Sequence, residues 1–147
     1  MTKPYRVDHL VLPVERLDVA ANRPANLGFT VAPAALHPFG THNACVFFSD
    51  GTYLEPLAIA DPAKYNASIG RGDVFTGRDH AFRKHAGGEG FSALVAATED
   101  ALGDHDRFVA SGLAAGNVFE FSRPVKMPDG SQSEAAFRLA FAASGSA

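Results

Sequence analysis

The stretch from Gly40 to Ile59, GTHNACVFFSDGTYLEPLAI, constrains this chain more than any other, because it reads as two apolar strands hinged on Asp50-Gly51. Asp-Gly between two strand-forming runs is a strong signal for an antiparallel hairpin, since the glycine supplies the positive φ that tight turns demand. The length of the loop then decides which side chains share a face. A two-residue loop sets Val46 opposite Glu55 and His42 opposite Ile59, so that His42 lies on the face of Glu55, about 13 Å along the strand. A three-residue loop turns Asn43 and Cys45 to that side instead. In either register Glu55 is anomalous: a carboxylate inside an apolar strand costs several kcal/mol unless a cation, hydrogen-bond donors or a wet cleft receives it.

The segment from Tyr5 to Val14, YRVDHLVLPV, places Val7, His9 and Val11 on one face and Leu10, Leu12 and Val14 on the other, so both faces need cover. An alanine-rich helix follows over Arg16 to Leu27, limited by Pro24 and closed by Gly28. FTVAP, NACVFF and TYLEPLAI supply three more strands, with a Pro/His/Gly-rich loop from Pro33 to Thr41. From Asp61 to Gly90 the chain is polar and glycine-punctuated. This reads as a connector with a modest helix over Val74 to His85, on which Arg78, His80, Arg83, Lys84 and His85 form a solvated basic face.

The pattern then begins again. FSALVAAT mirrors DHLVLPVE, and DALGDHDRFVASGL reads as a helix with Leu102 and Val109 on its apolar face and a stop at Gly112. NVFEF and AAFRLAFA are strands with a turn at Pro128-Asp129-Gly130 between them. The chain is thus a weak internal duplication of a βαβββ unit whose second copy is short. Two such units side by side make an α+β domain with a cleft between them: module one over residues 4–60, a connector over 61–89 and a shortened module two over 90–147.

At 147 residues the chain suits a single domain, and its net charge of -3 offers no basic field to draw a nucleic acid. No apolar run approaches the roughly 20 residues a bilayer span needs. The opening MTKPYRVDHL lacks the apolar core of a signal peptide, so a cytoplasmic location and no membrane partner are expected. The single cysteine, Cys45, excludes an internal disulfide and a thiolate zinc cluster, and reads as a buried, inert thiol. GGEGF precedes a strand, the wrong order for a phosphate-binding loop.

VDHLVLPVERLD, NLGFTVAP, FGTHNACVFFSDGTYLEPLAI and GGEGFSALVAATED, taken in this order, resemble the glyoxalase-like branch of the vicinal oxygen chelate superfamily, and the similarity covers most of the chain. The resemblance implies paired βαβββ modules forming a curled mixed sheet around a cleft, with a divalent metal that chelates neighbouring substrate oxygens. It implies that His9 on the first strand and Glu55 on the last strand of module one are metal ligands and sheet neighbours. Nitrogen and oxygen ligands suit zinc, nickel, iron or manganese. Aligning VDHLVLPVE with FSALVAATE puts Ala93, or Ser92 after a one-residue slip, where the second module's histidine would stand, and neither replaces imidazole. A rival register makes Asp129-Gly130 equivalent to Asp50-Gly51 and Glu134 equivalent to Glu55, and it needs RPVKM to be a strand despite Pro124. On either reading, water, substrate or a second chain would complete the site.

The implied function is a metal-dependent small-molecule enzyme, a lyase, isomerase or dioxygenase acting on adjacent oxygens, with Glu55 also shuttling a proton. His42, Asn43 and Phe47 are the candidate substrate contacts. Two alternatives belong to other classes: a metal-free protein that binds or sequesters a small molecule, in the manner of bleomycin-resistance proteins, and a non-catalytic dimeric paralogue. A homodimer is expected in each case, because the short second module leaves a strand edge uncovered.

Overall fold

The computed structural model of the chain describes residues 4–127 and 129–143, so Pro128 of the expected turn and residues 144–147 of the expected second module lie outside the described residues. Strand β1 (Arg6–Pro13) leads into helix α1 (Leu17–Asn26), followed by β2 (Thr30–Val31), β3 (Ala35–Leu36), β4 (Thr41–Asn43), β5 (Val46–Phe47) and β6 (Tyr53–Ile59). Helices α2 (Pro62–Gly70) and α3 (Val74–Ala86) precede β7 (Ala93–Ala97), α4 (Ala101–Ala110), β8 (Phe119–Lys126) and β9 (Gln132–Leu139). Among the described residues, β1 to β7 form a seven-stranded curled mixed sheet, while β8 and β9 form a separate two-stranded one. The fold is the expected α+β arrangement. β1 sits between β6, to which it runs parallel, and β7, to which it runs antiparallel.

The first helix follows its sequence signals closely. Pro24 lies in its last turn, where only two residues remain, and Gly28 at φ 91° donates its N–H to the Ala25 carbonyl. One face of the sheet takes α1: Val14, Leu17, Ala44 and Ala58 form a core cluster there, joined by Leu12, Ala20, Ala21 and Val31. The opposite face, called the inner face below, carries His9, Val11, Glu55 and the fully buried Leu57.

Asp50-Gly51 closes a three-residue loop, because Phe48 N–H donates to Thr52 O at 2.9 Å and every pair beyond it follows that count. Thr52 N–H is received by Asp50 Oδ1 at 3.0 Å, which stabilises the turn from within. The same device recurs at the second hairpin, where Met127 N–H meets Ser131 O and Asp129 Oδ1 accepts from Ser131 N–H. β8 runs through Pro124, which is tolerated because its sheet has only two strands and leaves one edge free.

Several expectations are corrected by packing. The loop from Pro33 to Thr41 contains β3, and the NACVFF strand is split into β4 and β5 at Ala44 and Cys45. The connector holds two helices instead of one. α2 begins at Pro62 behind an Asp61 cap whose carboxylate accepts from Lys64 N–H, a start signal visible in the sequence. Its approach requires Gly40: a Cβ there would stand 2.5 Å from Asp61 O and Tyr65 N. Arg83 is not part of a solvated face. It donates to Val14 O at 3.0 Å, Leu57 O at 2.8 Å and Asp79 Oδ2 at 2.8 Å, locking α3 against the ends of β1 and β6. Leu102 and Val109 remain exposed, while α4 turns Ala101 and Asp104 inward and Asp104 accepts from the Tyr5 hydroxyl. With β8 and β9 in their own sheet, β7 is an edge strand and gives α4 little apolar surface to cover. Among the described residues no helix is long and apolar enough to cross a membrane.

Candidate functional site

The strand registers decide which side chains meet. His9 pairs with Tyr53 and Val11 with Glu55, so His9 and Glu55 are diagonal neighbours on the inner face. His9 Nε2 lies 3.2 Å from Glu55 Oε2. The pairing of β1 with β7 shifts register between Val7 and His9, and at this irregularity Asp8 Oδ2 comes within 2.7 Å of His9 Nδ1. The three-residue loop brings Asn43, opposite Leu57, to the same face, where its Nδ2 donates to Glu55 Oε1 at 2.7 Å.

Behind Asn43 stands a residue that sequence reasoning passed over. His37, from the loop before β4, is 6% exposed, and its Nε2 faces Asn43 Nδ2 at 3.3 Å while its Nδ1 lies 2.8 Å from Thr41 Oγ1. Burial lowers its pKa to about 4. Neutral His37 can therefore accept from Asn43 at Nε2 and donate from Nδ1 to Thr41, completing a chain Thr41–His37–Asn43–Glu55–His9–Asp8. A histidine between leucine and proline in LHPFG carries no local mark of this role; its signal lies in the pairing of β3 with β4.

Electrostatics along this chain follow from its hydrogen bonds. Burial alone would lower the His9 pKa, but the bonds to Glu55 and Asp8 outweigh it and the net shift is upward. Burial alone would raise Glu55, but His9 and Asn43 outweigh it and hold the carboxyl below its usual range. The two shifts favour the charged form of each partner, the partnership that lets a 7% exposed glutamate remain charged. Cys45 is buried and its thiol is pushed up to about 12 by desolvation, so it stays protonated.

The remaining sequence candidates separate. Phe47 packs on Tyr53 at 5.2 Å between centroids, and Tyr53 stacks on His9 at 4.4 Å, so these rings wall the site. His42 pairs with Ala58 and lies on the α1 face, away from Glu55: the two-residue loop that placed it inward does not form. Ala93 pairs with Val11 on the inner face, which selects it over Ser92 as the counterpart of His9. The rival register's turn is built, but its carboxylate is not in the cleft. Glu134 pairs with Pro124 on the outer face of the hairpin and accepts from the Ser122 hydroxyl.

Opposite the floor lies the inner face of β8–β9. Phe121 approaches both Phe39 and His37, with centroids at 5.0 and 5.6 Å, and stacks on Phe137. A divalent metal would find two donors on the floor, His9 Nε2 and Glu55 Oε2. Each is held from behind, by Asp8 and by Asn43, as ligating imidazole and carboxylate groups require. The set fits an ion that accepts mixed nitrogen and oxygen ligands, as two of its positions. Among the described residues no third histidine, cysteine, aspartate or glutamate joins them to make a larger group.

The sequence profile of the glyoxalase-like domain matches residues 7–147. Among solved structures the chain is similar to a hypothetical protein from Staphylococcus aureus, at TM-score 0.72 and 16% identity, covering 96% of this chain and 54% of that one. The chain therefore spans about half the length of that protein. It is also similar to a hypothetical protein from Bacillus halodurans C-125, at TM-score 0.57, 14% identity and 94% coverage of both chains. A third is a Streptomyces coelicolor methylmalonyl-CoA epimerase in complex with 2-nitronate-propionyl-CoA, at TM-score 0.52 and 19% identity, covering 90% of this chain and 85% of that one. At these identities the likeness is one of fold. No curated protein matches the sequence.

Proposed function

Because the chain belongs to the glyoxalase-like domain family, within the vicinal oxygen chelate superfamily, we propose that it is a small-molecule enzyme whose first module, residues 4–60, holds a divalent metal through His9 and Glu55. The observation that carries this reading is the approach of His9 Nε2 and Glu55 Oε2 to 3.2 Å on the buried inner face. The metal would supply Lewis acidity toward a substrate with adjacent oxygens, its other positions taken by water or substrate. The chain's own residues do the rest. Asp8 fixes a proton on His9 Nδ1 and so leaves Nε2 to face the cleft. Asn43 occupies Glu55 Oε1, which leaves Oε2 as the atom able to ligate or to take a proton. The Tyr53 ring against His9 and the Phe47 ring beside it shield the pair from water.

The test is the metal content of protein purified without chelator, beside His9→Ala and Glu55→Ala. Stoichiometric zinc, nickel, iron or manganese that disappears in both variants supports the proposal, and wild type that binds none of these ions when each is offered overturns it. A second reading, a metal-free small-molecule binder, draws on the fact that His9 and Glu55 already satisfy each other as a charge pair beneath an aromatic roof. A hydrophobic ligand retained in metal-free protein favours it. Under either reading we propose a homodimer through β7, whose edge ALVAA is unpaired among the described residues and carries no charge to discourage strand addition. Sedimentation showing monomer at micromolar concentration removes that expectation.

A further inference from the structure

The inner face of the β8–β9 hairpin carries one charged side chain, Arg123. Alternation along β8 puts Phe119, Phe121 and Arg123 on that face, and the exposed Glu120, Ser122 and Pro124 on the other. The direction of the strand can be followed across the floor. Phe119 touches Phe39 and Phe75, and Phe121 touches Phe39 and His37. Arg123 is the next inward residue, about 6.8 Å further along, and the step from Phe75 through Phe39 to His37 leads toward Asn43 and Glu55. The field of its charge agrees with this position: it acts on His37 and on Cys45, the inner-face residue adjoining Glu55 across the β5–β6 register.

Arg123 has no partner suited to its charge. Its Nε is buried and without a hydrogen-bond acceptor among the described residues, and none of the ion pairs there engages it. Its guanidinium lies over the Phe137 ring at 5.6 Å, a contact that does not supply an acceptor to Nε–H. A buried guanidinium donor with no acceptor is costly, and carboxylate is the acceptor whose two oxygens match its fork. A space of about 490 Å³ opens beside it at the edge of the hairpin, bordered by Ser133 and by the outer-face residues Ser122, Pro124 and Gln132. Glu134 also borders that space, but its carboxylate is engaged by the Ser122 hydroxyl on the outer face.

We infer that Arg123 is an anion-recognition residue and that the ligand is a small organic carboxylate, whose carboxylate group is received by the Arg123 guanidinium in the space bordered by Ser133, Gln132 and Pro124. The inference goes beyond the proposed function and does not depend on the metal.

The experiment uses the full chain in EDTA, so that no metal can hold the carboxylate, and titrates benzoate against benzamide, its neutral analogue. Benzoate is expected to bind at least tenfold tighter than benzamide and to shift the Arg123 Nε–H resonance in an arginine side-chain NMR spectrum. Arg123→Gln is expected to lose at least tenfold in benzoate affinity, and Arg123→Lys, which keeps the charge, to lose less. Equal binding of the two probes, no benzoate binding, or unchanged benzoate affinity in Arg123→Gln overturns the inference. If the glutamine variant does not fold, the wild-type selectivity and resonance decide alone. Failure of the metal proposal leaves the result unmoved, so the two are separable.

Discussion

The floor and roof of the cleft are built on opposite plans. On the floor, the polar groups from Thr41 to Asp8 are linked in one chain of hydrogen bonds, and Glu55, Asn43 and His37 are each under a tenth exposed. On the roof, a two-stranded hairpin presents aromatic rings and a guanidinium whose Nε has no acceptor among the described residues. Strand β6 has β1 on one side and β4 and β5 on the other, whereas among the described residues β8 and β9 have only each other. The lesson is a division of labour. Closely paired strands can hold a buried charge pair in fixed geometry, while the weakly supported hairpin keeps an unsatisfied donor for something else to meet.

The comparison breaks first on packing. Leu57→Ala, at a floor position with 0% exposure, is expected to cost about 4 kcal/mol in urea unfolding, whereas Leu139→Ala on the half-buried roof costs less than half as much. Equal losses would mean that floor and roof are one cooperative core. Next in size is the titration of His37. Its folded pKa of about 4 lies below the ordinary histidine value of 6.5, so the unfolded state takes up the proton first as pH falls. The contribution is fully present above pH 6.5, falls through the window from 6.5 to 4 by about 3 kcal/mol, and is lost below it. Thermal unfolding of wild type and His37→Gln across that window checks this: the difference in stability between them should grow as pH rises, and a constant difference would show that His37 is not buried neutral. The smallest effect belongs to the roof. Arg123→Met should leave stability unchanged or raise it by up to about 1 kcal/mol, since it removes a buried donor that no protein group among the described residues satisfies. A loss of several kcal/mol would reveal a partner for Arg123 within the fold.

The legible parts of this protein were those with local chemistry. β1, α1, the Asp50-Gly51 hairpin, helix α4 and the turn at Asp129-Gly130 each carry their own signal of alternation, breaker or turn residue, and each forms. Asp61-Pro62 was equally legible as a helix start and was overlooked within a polar connector. Other features were illegible for physical reasons. Whether Asn43 or His42 faces Glu55 turns on a single residue of loop length, which reverses every side chain beyond it. Arg83 looks like any surface cation until Val14, just past β1, and Leu57, in β6, present their carbonyls to it. Leu102 and Val109 show a sound apolar face, and only the absence of further strands beside β7 leaves it uncovered among the described residues.

By itself the sequence determined the family pattern, the βαβββ order of the first half, and the anomaly of a glutamate set in an apolar strand, because each is written in residues close together along the chain. Tertiary structure alone decided that Asn43 and His37 stand behind the His9–Glu55 pair, and that Arg123 lies in a separate sheet with its Nε buried. Those juxtapositions depend on register and on how a hairpin folds back, and both are set by long-range pairing and burial that no local segment encodes.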